Sequence, residues 1–391
     1  MTLAPCHDDL RLLLEAVEIH SPTRYTLRGE ARDFSPVPPA PTGGESPGGS
    51  QPADTATGAD DAPLPESPVF MPMLESDLYS RLYVRPSSAP PAAQPDLLAQ
   101  RDFTSALSAA NNGTGTWEPG WRITSIEPDR RVAVTKDGVT FWVAPTGLRT
   151  RTGKVRPGDF CRVWVGKEMR QLLPGFYFAF GNGDQQDSRD TADPLLRFYW
   201  HLTVDSAVEY MALVTSLFNR ASVPFRTKVL ADPSFYVRAD AGVLYLERRY
   251  FPEARPLILE IHKALAGRLR ADVPMFTKTL AGGLGFAEDP SGGMSFGQSR
   301  CKIAAGVLWS CFARGANAPD ERLAALAEAF RAEGLDPASP FLERGSTDFY
   351  TLTGELPAEM PRRAAAPALA VARRPKRRWK GQTKKHRKVG V

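Results

Sequence analysis

The chain has 391 residues, 42% of them apolar and 24% charged, which is ordinary for a globular protein and enough for two folded domains with tails. No stretch approaches the ~20 apolar residues that a membrane-crossing helix needs, and four scattered cysteines with five dispersed histidines form no zinc-type cluster. The net charge of +5 belongs to one segment: residues 361–391 hold twelve Lys and Arg and no Asp or Glu, and without them the rest of the chain carries −7.

The first residues lack the basic start of a signal peptide. Leu10, Leu13, Leu14 and Val17 recur at helical spacing, so residues 1–32 are read as an N-terminal helical segment. Residues 33–66 are nearly all Pro, Gly, Ser, Ala, Asp and Thr and read as a disordered linker. The scattered cysteines are expected to be reduced thiols of a cytoplasmic protein.

A second Pro/Ala patch at 87–95 precedes a helix candidate at 97–110. Residues 117–180 then read as a small β region. Strand candidates at 121–128, 131–136, 139–144 and 160–165 are separated by turns at Pro128-Asp129, Asp137-Gly138 and Pro157-Gly158. Its aromatics include Trp121, Trp142, Trp164 and Tyr177, and they read either as core or as a stacking surface for nucleic acid or sugar. After a polar break at 181–193, strands are expected at 195–203, 225–230 and 242–247. Helices are expected at 204–220, 252–270, 300–314 and 319–333, with a long Gly-rich loop reaching Gly297. Helices and strands mix without strict alternation, which predicts an α+β fold.

Alternation along a strand puts Arg197, Tyr199 and His201 on one face, opposite Phe198, Trp200 and Leu202. It likewise places Arg226 and Lys228 together, opposite Phe225 and Val229. Two strands would thus show cationic or titratable faces. The alternative is that both are solvated outer faces of edge strands. Arg238 and Asp240 precede an apolar strand and also read as a surface ion pair. Lys278 and Arg300 bracket the Gly-rich loop, and Ser299 or Arg300 would open a helix whose N-terminus favours anions. The loop matches neither G-x-x-x-x-G-K-[ST] nor G-x-G-x-x-G, and the other reading is a mobile surface loop.

Taken together, Arg197-Phe198-Tyr199-Trp200, Val223-Pro224-Phe225-Arg226-x-Lys228, Arg238-x-Asp240-Ala241, Phe276-Thr277-Lys278 and Ser295-Phe296-Gly297-x-x-Arg300-Cys301 resemble the HopA-type effector family. The resemblance covers roughly 190–312. It implies a C-terminal domain at 190–350 related to phosphothreonine lyases, with a mixed sheet and packed helices, after a small mainly-β domain at 67–185. It also implies removal of phosphate from phosphoserine or phosphothreonine in a peptide or protein to give dehydroamino acids, without a metal or other cofactor. A separate kinase-like partner would supply the phosphate, as in class V lanthipeptide and thioamitide pathways.

By this resemblance Lys228 is the base and His201 the acid. Arg226, Arg238, Lys278 and Arg300 are the candidates for phosphate contact, and Tyr245 reads either as a further phosphate contact or as a core tyrosine. β-Elimination needs a base for the α-proton, cations for the leaving phosphate and a donor at the bridging oxygen. A nearby cation such as Arg226 favours the neutral lysine that a base must be, and histidine titrates near neutrality. Phosphothreonine lyases carry a lysine two residues before the acid, where this chain has Tyr199. Many effector-type members carry asparagine where it has His201. Two other readings stand beside the lyase. One is a non-catalytic effector-like protein that binds a phosphorylated ligand. The other is a nucleic-acid-associated protein acting through the basic tail at 361–391, which is read as disordered and suited to polyanions.

Overall fold

A computed structural model describes residues 6–34, 69–87, 96–136, 139–170, 172–183, 194–290 and 293–357. The expected linker at 33–66 lies outside the described residues except Asp33 and Phe34, and the basic tail lies wholly outside them.

The expected N-terminal helix is helical only at first. Helix α1 (Asp8–Glu15) gives way to an antiparallel meander, β1 (Val17–Ser21), β2 (Arg24–Leu27) and β3 (Glu30–Asp33). The reason lies in the pattern: β2 buries Tyr25 and Leu27, two residues apart, which is the period of a strand. Helix α2 (Phe70–Asp77) runs into a π-helical turn, Leu78–Tyr83, and α3 (Leu97–Ala110) follows, capped by the Asp96 carboxylate.

The β region forms its own five-stranded antiparallel sheet: β4 (Thr116–Ile126), β5 (Val132–Lys136), β6 (Val139–Val143), β7 (Leu148–Thr150) and β8 (Phe160–Val165), in the order β6-β5-β4-β8-β7. Trp121, Ile123, Val132, Val134, Cys161 and Val163 make its small separate core.

All remaining elements share one large core. Its seven-stranded sheet adds β9 (Glu168–Met169), β10 (Phe176–Phe180), β11 (Leu195–Trp200), β12 (Arg226–Leu230), β13 (Gly242–Glu247), β14 (Lys278–Ala281) and β15 (Leu284–Glu288). The order is β14-β15-β11-β13-β12-β10-β9. Every pairing is antiparallel, where a mixed sheet was expected. The α+β class holds. The expected boundary near 185 does not match these cores: β9 and β10 pair into the large sheet, and Leu10, Leu74, Tyr83 and Leu107 lie in its core. Buried Asp9 ties the chain start to the sheet region, accepting from the Phe276 backbone N–H at 2.7 Å and pairing with Arg85.

Helices α4 (Val204–Arg220) and α5 (Phe251–Ala264) cover one face of this sheet. Thr203 and Ser206 close a capping box at the start of α4. Its apolar stripe brings Tyr210 against Trp200, with ring centres 5.3 Å apart, and the Tyr210 hydroxyl against Thr227 at 2.9 Å. Phe251 of α5 stacks on Phe198. The opposite face meets the π-helical turn and helix α6 (Phe296–Ala313), which in turn packs on α2 and α7 (Pro319–Ala332). Tyr199 and Tyr83 both approach Phe296.

The expected Gly-rich loop contains a buried strand and a hairpin. All five residues of β15 are buried, in a run too short to show a period. Gly283 has φ +73°, and a Cβ there would lie 2.3 Å from the Arg270 carbonyl oxygen, so the hairpin requires glycine.

Candidate functional site

Strand register decides which side chains meet. Arg197 lies opposite Tyr245, and Tyr245 opposite Arg226. One step along the strands, Tyr199 lies opposite Val243, and Val243 opposite Lys228. Directly paired residues point to the same side of a sheet. Arg197, Tyr199, Tyr245, Arg226 and Lys228 therefore share one face, and Phe198, Trp200, Leu244 and Thr227 share the α4–α5 face. Strand β11 lies between β15 and β13, and β12 between β13 and β10, so the edge-strand alternative fails.

Within this face the cations differ. Arg197 is bound by Asp289, its Nε donating at 2.6 Å, and its guanidinium lies 5.1 Å from the Tyr245 ring centre. Arg226 is exposed, and Lys228 Nζ rests 4.0 Å from the Phe176 ring centre. Among the described residues neither has a carboxylate within ion-pair distance. Burial pushes the Asp289 carboxyl above its ordinary range, while Arg197 and Arg226 oppose that shift. Burial also pushes the Tyr199 hydroxyl up to about 12. The face is a partly desolvated floor with two uncommitted cations and one neutral phenol beside a closed Arg–Asp pair.

The other expected phosphate contacts are committed elsewhere. Arg238 donates from Nε and Nη2 to the two oxygens of buried Asp240, both at 2.8 Å, and Tyr79 donates to Asp240 at 3.3 Å. The expected ion pair is present, with its acid inside the protein. Lys278 lies opposite Phe286, which lies opposite Phe198, so it belongs to the α4–α5 face; its Nζ is held 2.5 Å from Asp348. Arg300 is 1% exposed and spends its donors on the carbonyls of Pro340 and Leu342, the Ser299 hydroxyl and Glu343. Helix α6 opens at Ser295, a turn before the expected start, with Ser295 and Gln298 closing a capping box. The box satisfies N–H groups that an anion would otherwise take, and it places Arg300 inside the helix.

His201 continues the Arg197–Tyr199 side of β11, just beyond the strand end. Its backbone N–H donates to the Gly283 carbonyl at 2.9 Å. The side chain is buried, with Nδ1 2.9 Å from the Asp272 carbonyl oxygen. A carbonyl only accepts, so Nδ1 carries the hydrogen and Nε2 of the neutral ring keeps its lone pair. Burial lowers the His201 pKa; the Asp272 carbonyl raises it, Arg270 lowers it further, and the charges of Asp272 and Asp240 raise it. The net shift is downward. The neutral ring therefore has an acceptor where an acid needs a donor, at variance with the expected role of His201.

The same shift predicts a pH effect. Below about pH 6.5 the unfolded chain binds a proton at His201 that the folded chain resists, so folding stability falls as pH falls through that window. Each pH unit within it costs up to about 1.4 kcal/mol. Urea unfolding at about pH 7.5, 6.5 and 5.5 is expected to show a shallower loss for His201→Gln than for the parent.

Sequence reasoning placed Arg197 and Tyr199 on the polar strand face but assigned neither to the site, and it missed Asp289. Asp289 sits 92 residues from Arg197, so nothing local marks the pair. Among the described residues no cluster of His, Cys, Asp or Glu could hold a metal ion, and no helix is long and apolar enough to cross a membrane.

Residues 168–342 match the HopA1 effector protein family. Two solved structures are similar. An effector protein from Pseudomonas syringae pv. tomato strain DC3000 is 19% identical, with a TM-score of 0.39 over 69% of this chain and 90% of that one. An effector protein from Pseudomonas syringae pv. syringae strain 61 is 17% identical, with a TM-score of 0.38 over 69% and 88%. Comparison with curated protein sequences gives no match. The family match begins at β9 and takes in every residue of the cationic sheet face.

Proposed function

We propose that the sheet face carrying Arg226, Lys228 and Tyr245 binds the phosphate of a phosphoserine or phosphothreonine side chain in a peptide or protein and eliminates it. Lys228, as the neutral amine, takes the α-proton. The Cα–H electron pair becomes the second bond between Cα and Cβ, the Cβ–O bond breaks, and phosphate leaves with that bonding pair. Arg226 offers a planar fork to the phosphate oxygens, and the Tyr245 hydroxyl donates to a third position. The observation that carries this reading is the placement of Arg226 and Lys228 on one face of an interior strand, opposite Tyr245 and without an ion-pair partner among the described residues. The phosphorylated substrate must come from a separate phosphotransferase, since the sequence holds neither Gly-rich nucleotide motif sought.

The state of His201 favours a second reading. A neutral ring with its lone pair at Nε2 gives no proton to a leaving group, and the same face then binds a phosphorylated ligand without breaking it. Incubating the full chain with phosphoserine and phosphothreonine peptides, and following them by mass spectrometry and fluorescence anisotropy, separates the two. Loss of phosphoric acid to give a dehydro residue supports elimination. Retention of intact phosphopeptide over its unphosphorylated form supports binding alone. Neither result would sink both readings.

A further inference from the structure

The five-stranded sheet has an outer face that its small core does not use. Strand β8 alternates: Cys161, Val163 and Val165 are buried, whereas Phe160, Arg162 and Trp164 are exposed. Phe160 is 66% and Trp164 43% exposed. Register extends this row across three strands. Phe160 lies opposite exposed Arg122 of β4, Arg162 opposite exposed Arg149 of β7, and Trp164 opposite Trp117 of β4. The Trp117 and Trp164 rings meet edge to face at 5.3 Å, and the Arg149 guanidinium lies 4.0 Å from the Trp117 ring centre.

A sheet gains nothing in stability from a phenylalanine left in water. The local charge is also unusual. Residues 116–165 hold nine Lys and Arg against five Asp and Glu, a net +4, inside residues 1–360 that sum to −7. Two aromatic rings about 13 Å apart along a strand, with a cation between them, present π-faces and positive charge at once. That combination suits stacked bases joined by phosphates. The basic tail is excluded as occupant of this face by its like charge.

We infer that this outer face binds single-stranded nucleic acid, with bases stacking on Phe160 and Trp164 and Arg122, Arg149 and Arg162 neutralising the backbone. The site is separate from the seven-stranded sheet and stands whether or not that sheet eliminates phosphate.

The test uses the full chain and a fluorescein-labelled 20-nucleotide oligothymidylate, read by anisotropy. Phe160→Ala and Trp164→Ala are each expected to weaken binding about tenfold. Neither should change binding of an abasic deoxyribose-phosphate oligomer, which the tail and arginines hold by charge alone. Arg149→Glu is expected to weaken both probes. Phe160 is exposed and has no aromatic partner among the described residues, so its removal leaves the core intact, which a thermal melt verifies. Equal binding of oligothymidylate by the parent and both aromatic variants would overturn the inference. So would displacement by poly-glutamate at the concentration that the unlabelled oligonucleotide requires, because charge alone would then explain the binding.

Discussion

Lys228→Ala is expected to slow phosphate loss from a phosphothreonine peptide by about 10²- to 10⁴-fold, the range for removal of a positioned base. The strand geometry makes this a specific expectation. Lys228 stands on an interior strand, fixed between Val243 and Phe178 in register, and its Nζ lies 4.0 Å from the Phe176 ring centre. Truncation removes the proton acceptor and leaves Arg226 and Tyr245 in place, so peptide affinity should change far less than rate. Arg226→Ala should do the reverse. It removes charged hydrogen bonds of about 1.5–3 kcal/mol, a loss of roughly 10- to 150-fold in peptide binding. Initial rates by mass spectrometry, with affinities by anisotropy on the same peptides, check both. A Lys228→Ala protein that reacts at the parent rate would remove lysine from the chemistry.

Arg300→Met is expected to destabilise the fold by about 3–5 kcal/mol, the cost of removing one member of a buried charged network. Arg300 joins helix α6 to the segment at 340–343 through two carbonyls and the Glu343 carboxylate, and its side chain is 1% exposed. That segment also supports β15: the Glu343 backbone N–H donates to Glu288, which accepts from the Tyr350 hydroxyl at 2.6 Å. Methionine fills part of the volume but leaves the acceptors without a donor. Lysine should not rescue, because one ammonium cannot reach four acceptors laid out for a planar fork. A urea midpoint equal to the parent's would show that the network contributes nothing. If the variant remains folded enough to assay, its phosphopeptide affinity should match the parent's, since Arg300 faces no substrate.

Much of the fold was legible because its signals are local. Helix α4 announces itself by a Thr cap and apolar residues at 207, 210, 211, 214, 217 and 218, and β12 and β13 by alternation between turn residues. The β15 strand was hidden because Leu-Gly-Phe-Ala-Glu is buried throughout and so lacks contrast between faces. The site divides in the same way. Arg226 and Lys228 share a face by strand period alone, which any sequence shows. The commitments of Lys278 to Asp348 and of Arg300 to Pro340 span 70 and 40 residues, and only the folded chain reveals them. Arg238 and Asp240, two residues apart, were readable as a pair, but the burial that fixes it was not.

The five-stranded sheet begins and ends at the same place. Thr116 opens β4 and Val165 closes β8, and the two are direct partners, about 5 Å apart between Cα atoms. Just outside them, Lys167 Nζ clamps the carbonyls of Ser108 and Asn111, so the flanking chain is tied shut independently of what lies between. The intervening fifty residues are therefore a detachable module. A genome could gain or lose them by a single in-frame event, closing the gap with a short turn, and the seven-stranded sheet would keep every strand it has.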